Sequence, residues 1–237
     1  MNLDVLVFAA HPDDAELSMG GTIAKLTSQN YKVGLIDFTR GELGTRGSAD
    51  LRQKEAFQAA LTLKIAVREN LNIPDGNIER NRQNLMKVIL TIRKYRPKLI
   101  FAPYFNDRHP DHIDVSFIVK QAMFSTGLTK IKTFDKEVAQ QAYRPGKLFY
   151  YMQTYTFDPS FIVDISSCFE MKMKAVNSYS SQFFNPKSTE PETFISRPGF
   201  IQYIESRAQF YGFQIGKHYG EPFYSEEKIE MNLSSLL

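Results

Sequence analysis

Two distant segments of the chain share one construction, and together they limit what it can fold into. VLVFAAHPDD (5–14) is an apolar run of strand length that stops in a polar cluster, and LIFAPYFNDRHPDH (99–112) repeats the scheme. An unbroken apolar run reads as a strand buried on both faces, as in parallel sheets. Proline keeps the residue before it extended and suits the first position of a helix. Each His-Pro is therefore a seam between strand and helix. In an open parallel sheet, ligands bind in the crevice beyond the carboxyl ends of the strands. His11, Asp13, Asp14, His109, Asp111 and His112 can all converge there.

The rest of the chain fits this frame. Strands are expected at 3–10, 32–39, 65–68 and 98–102, with helices at 16–30, 49–63, 81–95 and 111–126 between or after them. Strand–helix alternation of this kind is the signature of a parallel sheet with right-handed crossovers. Leu85, Val88, Ile89 and Ile92 recur at helical spacing, and Pro97 follows the end of that helix. Gly20 and Gly21 lower helix propensity and are expected to let the first helix pack closely on the sheet. Later strands are expected at 147–153 and 161–165, helices at 168–183 and 199–213, a Pro-rich loop long enough for a lid at 184–198, and an irregular end over 219–237. The predicted architecture is α/β: a single Rossmann-like domain over 1–237, with a mostly parallel sheet flanked by helices. The core would occupy about 1–165, and C-terminal helices and site loops about 166–237.

Composition excludes several function classes. With 237 residues and a net charge of +3, the chain has no basic stripe for nucleic acid. A single cysteine, Cys168, rules out an intrachain disulfide. The first apolar run lacks a basic leader and is too short to span a membrane, so a cytoplasmic protein is expected.

Three of the four histidines lie in the two echoing segments. His-x-x-Asp at 11–14 and His-x-x-His at 109–112 place donors about one helical turn apart, where two can face one point. Zinc accepts imidazole nitrogen and carboxylate oxygen, and catalytic zinc keeps three protein ligands and an open position. Ferrous iron and cobalt accept the same donors. Any one of these aspartates could instead be a helix-start carboxylate. Arg108, beside the second His-Pro, suits anion binding; Arg52 could be a plain helix-face arginine, Asp75 a turn aspartate, and His218 a surface or structural residue. A nucleotide-binding module fits poorly, because no G-x-G-x-x-G follows the first strand and a carboxylate pair there would repel pyrophosphate. A two-metal phosphoesterase would want more carboxylates.

AHPDDAE (10–16) with HPDH (109–112) resembles the zinc-dependent N-acetylglucosaminyl deacetylases of the LmbE-like (PIG-L) family. TRGELGTRG (39–47), LRQKEA (51–56) and NLNIPDG (70–76) extend the resemblance, and IGKHYGEPF (215–223) looks like the bacillithiol-biosynthesis branch, which deacetylates N-acetylglucosaminyl-malate. The resemblance implies one zinc ion per subunit on His11, Asp14 and His112. It implies Asp13 as general base and His109, protonated, as electrostatic partner. Ser18, Glu42, Arg52 and Asp75 would lie around the sugar, with Arg52 and Arg108 as candidates for the malate carboxylates. A homo-oligomer, trimer-based or hexameric, is also implied. The chain departs from mycothiol-type relatives at Asp107, where they carry tyrosine.

Overall fold

The computed structural model describes residues 1–230. The first half alternates β1 (Val5–Ala9), α1 (Asp14–Ser28), β2 (Val33–Asp37), α2 (Ala49–Thr62), β3 (Val67–Asn70), α3 (Arg82–Tyr95), β4 (Leu99–Pro103) and α4 (Pro110–Ser125). A small hairpin, β5 (Phe134–Asp135) and β6 (Val138–Ala139), precedes β7 (Lys147–Tyr151) and β8 (Phe161–Asp164). The chain closes with α5 (Phe169–Val176), α6 (Phe200–Gln214) and β9 (Gly220–Tyr224). Seven strands form one sheet in the order β3-β2-β1-β4-β7-β9-β8. Pairing from β3 to β7 is parallel, while β9 runs antiparallel to both β7 and β8. The molecule is thus a single α/β domain with a mostly parallel sheet between helices.

β1 explains its own composition. Val5, Val7 and Ala9 join the core on one face, with residues of α1, α2 and α5. Leu6, Phe8 and Ala10 join the core on the other, with residues of α3 and α4. Alternate side chains of a strand point to opposite faces, so a strand covered on both sides must be apolar throughout.

Three local expectations need correction, and one short hairpin lies where no element is expected. Residues 220–224 are not irregular but form β9, with Phe223 and Glu221 buried. Gly, Glu and Pro are poor strand formers, and neighbouring strands override that preference. The helix expected to reach 183 ends at Val176. Beyond it, Glu55 accepts from the Ser181 amide and from the Ser180 and Ser181 hydroxyls; such side-chain bonds compete with helix continuation. The β5–β6 hairpin turns through Lys136 and Glu137, both at positive φ, with no glycine to announce the turn. Finally, Gly20 and Gly21 serve C-terminal neighbours: a Cβ would lie 3.2 Å from Lys172 Cγ at Gly20 and 2.6 Å from Ile165 Cδ1 at Gly21. Helix α1 also breaks just before them, at Met19 (φ −138°, ψ 21°).

Candidate metal centre

β1 and β4 are hydrogen-bonded neighbours, with Val5 opposite Leu99. β2 and β3 continue on one side and β7 on the other. The strand order reverses at this pair, which is where such sheets open a crevice. The two His-Pro segments leave adjacent strand ends and meet. His109 is the extended N-cap of α4 (φ −88°, ψ 122°), with Pro110 in the first turn. At the first seam the N-cap is Asp13, held at φ 111°. A non-glycine residue there stores about 1–3 kcal/mol of strain, a device concentrated at functional sites.

One donor atom each from His11, Asp14 and His112 lies within 4.8 Å of the others, and all three residues are buried. Donor atoms of His11, His109 and Asp111 lie equally close together, with His109 half-buried. Asp14 sits between the two imidazoles: its Oδ2 is 3.4 Å from His11 Nδ1 and its Oδ1 3.3 Å from His112 Nε2. His11 Nε2 lies 3.0 Å from Asp75 Oδ1 and 3.3 Å from Asp111 Oδ2. Asp107 Oδ1 is 2.9 Å from His112 Nδ1, while its Oδ2 accepts from the amides of Thr154 and Tyr155. The residue that replaces a tyrosine thus orients an imidazole, as supporting carboxylates do around metal-binding histidines.

The charges are unevenly balanced. Burial pushes the Asp14 carboxyl up, but His112 and His11 outweigh it and hold the group well below the usual range. Burial pushes His112 down, yet Asp14 and Asp107 lift it to about 9. Burial likewise lowers His11, and Asp111, Asp14 and Asp75 raise it well above its ordinary value. The carboxylates therefore call for positive charge at a point flanked by two imidazoles. A divalent cation would meet that demand, with both nitrogens available as ligands in place of protons. The donor set fits zinc chemistry.

Asp13 differs from Asp14. Burial raises its pKa to about 6, with Arg52 opposing and Asp14 adding to the rise. Arg52 Nη2 holds Asp13 Oδ2 at 2.6 Å and its Nε donates to the Pro12 carbonyl. Burial, then the neighbouring His11 and His112, push His109 down. Its Nδ1 accepts from the Asp111 amide at 3.2 Å, so a neutral ring carries its proton on Nε2.

A cavity of about 430 Å³ opens over the cluster. His11, Asp13, Asp14, Arg52, Asp75, Arg108, His109 and His112 line it, whereas Ser18 and Glu42 do not. Glu42 is exposed and ties loops together, accepting from the Asp75 and Arg40 amides. His218 is exposed and packs on Tyr219. Thr193, Phe194 and Ile195, from the Pro-rich loop of lid length, form part of the cavity wall. Sequence reasoning missed Gln153, Gln182, Tyr203 and Arg207, which also line it. They stand singly after a strand, in a turn or on a helix face, and no motif marks them.

Residues 6–123 match the family described as PIG-L, GlcNAc-PI de-N-acetylase. The conserved protein TT1542 from Thermus thermophilus superposes with a TM-score of 0.86 at 33% identity, over 97% of each chain. The chain belongs to the PIG-L family. Diacetylchitobiose deacetylase of Thermococcus kodakarensis is 29% identical, over 92% of this chain and 80% of that protein. The N,N'-diacetylchitobiose deacetylase of Pyrococcus horikoshii has a TM-score of 0.78 at 29% identity, over 92% of this chain and 82% of that one. As a PIG-L protein, the chain is an amide hydrolase of the N-acetylglucosamine deacetylase type. Among the described residues no helix is long and apolar enough to cross a membrane.

Proposed function

We propose that this chain removes the acetyl group from N-acetylglucosaminyl-malate, with zinc held by His11, Asp14 and His112. The observation that carries the reading is the meeting of these three side chains, with Asp13 beside them, at the β1–β4 crevice. When bound, zinc would polarise the acetamide carbonyl and make water easier to deprotonate.

The chain's own groups do the rest. Asp13 Oδ2 is fixed by Arg52, and Oδ1 has no protein partner among the described residues. That oxygen takes a proton from the attacking water, and Asp13 then passes it to the leaving amine. His109 donates from Nε2 to the carbonyl oxygen as negative charge develops there, which is oxyanion stabilisation. Arg52 keeps Asp13 oriented, so its place near the sugar is that of a support. Asp75 and Asp111 hold the far side of His11.

An anionic aglycone is favoured by two guanidinium groups on the cavity wall, Arg108 and Arg207, neither of which forms an ion pair among the described residues. Guanidinium matches a carboxylate bidentately. A neutral chito-oligosaccharide is the second reading, supported by the two relatives named as diacetylchitobiose deacetylases. Amine release from N-acetylglucosaminyl-malate and from diacetylchitobiose decides between them, measured before chelation, after it, and with zinc restored. Zinc-dependent preference for the malate conjugate is expected. Preference for the disaccharide replaces the first reading with the second.

A further inference from the structure

Ser18 and Gln153 form a buried pair with no part in the steps above. Ser18 Oγ donates to Gln153 Oε1 at 2.6 Å. Ser18 is 3% exposed and Gln153 8%, and only Gln153 lines the cavity. Gln153 is held on every other side. Its carbonyl accepts from Arg207 Nη1 at 2.6 Å. The next two amides, of Thr154 and Tyr155, bond to Asp107, whose other oxygen holds His112. One polar atom is left over: Gln153 Nε2 has no hydrogen-bond partner among the described residues. Buried amide nitrogens are nearly always paired, and an unpaired one is costly.

We propose that Gln153 is a substrate-binding residue whose side-chain NH2 donates to a hydroxyl oxygen of the amino sugar, and that Ser18 is the positioning residue that fixes its amide. The terminal torsion of glutamine is soft; its planar amide turns as a unit, and the Ser18 hydroxyl can rotate to follow Oε1 as Nε2 meets an oxygen entering the cavity. Ser18 acts on the sugar only through Gln153, which accounts for a residue expected near the sugar standing behind the cavity wall. The inference rests on the deacetylase reading of this cavity.

Kinetics of amine release from an N-acetylglucosaminyl substrate test it. Gln153→Met is expected to raise KM about tenfold with a smaller change in kcat, as for one lost hydrogen bond to a buried donor. Gln153→Glu keeps the acceptor for Ser18 and removes the donor, so it should lose at least as much. Ser18→Ala should raise KM about threefold, and the double variant Ser18→Ala/Gln153→Met should match Gln153→Met alone, since the two act as one unit. One of the 3-, 4- or 6-deoxy sugars, tested on unmodified enzyme, should show the same loss and be insensitive to Gln153→Met. Additive effects of the two substitutions, or an unchanged KM in Gln153→Glu, would overturn the pairing. Equal turnover of all deoxy sugars would overturn the contact, and this arm needs no folded variant. If the unmodified zinc protein releases no amine, the deacetylase reading fails. Calorimetric binding of glucosamine to it and to Gln153→Met then decides the inference separately: weaker binding to the variant supports it and equal binding ends it.

Discussion

Two of the molecule's clusters of buried charge, compared side by side, are built to opposite standards. In the first, Glu221 of β9 reaches the break in α1. Its Oε1 accepts from the Gly21 amide at 3.0 Å and Lys172 Nζ at 2.6 Å; its Oε2 accepts from the Thr22 amide at 2.7 Å and the Thr22 hydroxyl at 2.6 Å. One carboxylate meets one ammonium and caps the restarted helix, where its charge also suits the helix dipole. In the second, Asp14, Asp75, Asp107 and Asp111 crowd around His11 and His112, with Asp13 next in the chain and held by Arg52. Asp13 is strained and its pKa is raised to about 6. The ingredients are alike. Where each carboxylate oxygen finds its donors, the cluster is structural; crowded carboxylates and strained backbone are what a site proposed to bind a cation and move a proton requires.

Substitutions can break or sharpen this contrast. The largest effect should come from the metal: chelation should abolish amine release and zinc should restore it, while Glu221→Gln leaves zinc content at one ion per chain by elemental analysis. Next, Asp13→Asn should lower kcat per folded molecule by roughly 10²–10⁴-fold, the range for a lost general base, with zinc content kept. Near-normal turnover at full zinc content would remove Asp13 as the base. Glu221→Gln should do the reverse. Stranding the Lys172 ammonium costs about 3–5 kcal/mol, a fall in thermal midpoint of roughly 6–20 °C for a chain of this length, with turnover per folded molecule nearly intact. Adding Lys172→Met should recover part of that loss, because the pair and its isostere are closer in energy than the pair and a lone charge. Asp107→Asn should weaken zinc by about 10–100-fold through His112, read by competition with a chelator. The smallest effect is expected at the rim: Arg108→Ala should raise KM several-fold for the malate conjugate and little for free N-acetylglucosamine, as expected for one exposed guanidinium. Equal effects on both sugars would remove Arg108 from anion recognition.

The contrast also shows why some of the molecule was legible in advance. The stretch 215–223, whose likeness suggested the bacillithiol branch, contributes no residue to the cavity wall. Its buried charged member is Glu221, a cap for α1. By itself that likeness describes how the domain closes, whereas cavity residues such as Arg207 and Gln153 belong to no motif.

Local sequence determined what short-range physics can write. Apolar runs of strand length, the His-Pro seams and the 3.6-residue spacing of Leu85 to Ile92 specify β1, β4 and α3, because backbone preference and periodicity act within a few residues. The same runs placed His11, Asp14, His109 and His112 at strand ends. Only the tertiary structure decided the rest. β9 is a strand because β7 and β8 flank it, against the preference of Gly-Glu-Pro. Asp107, Gln153 and Arg207 acquire partners because distant backbone brings the Thr154 amide, Ser18 and Leu17 against them. Contacts between residues far apart in sequence carry no local pattern, so they become readable only once the sheet has set them side by side.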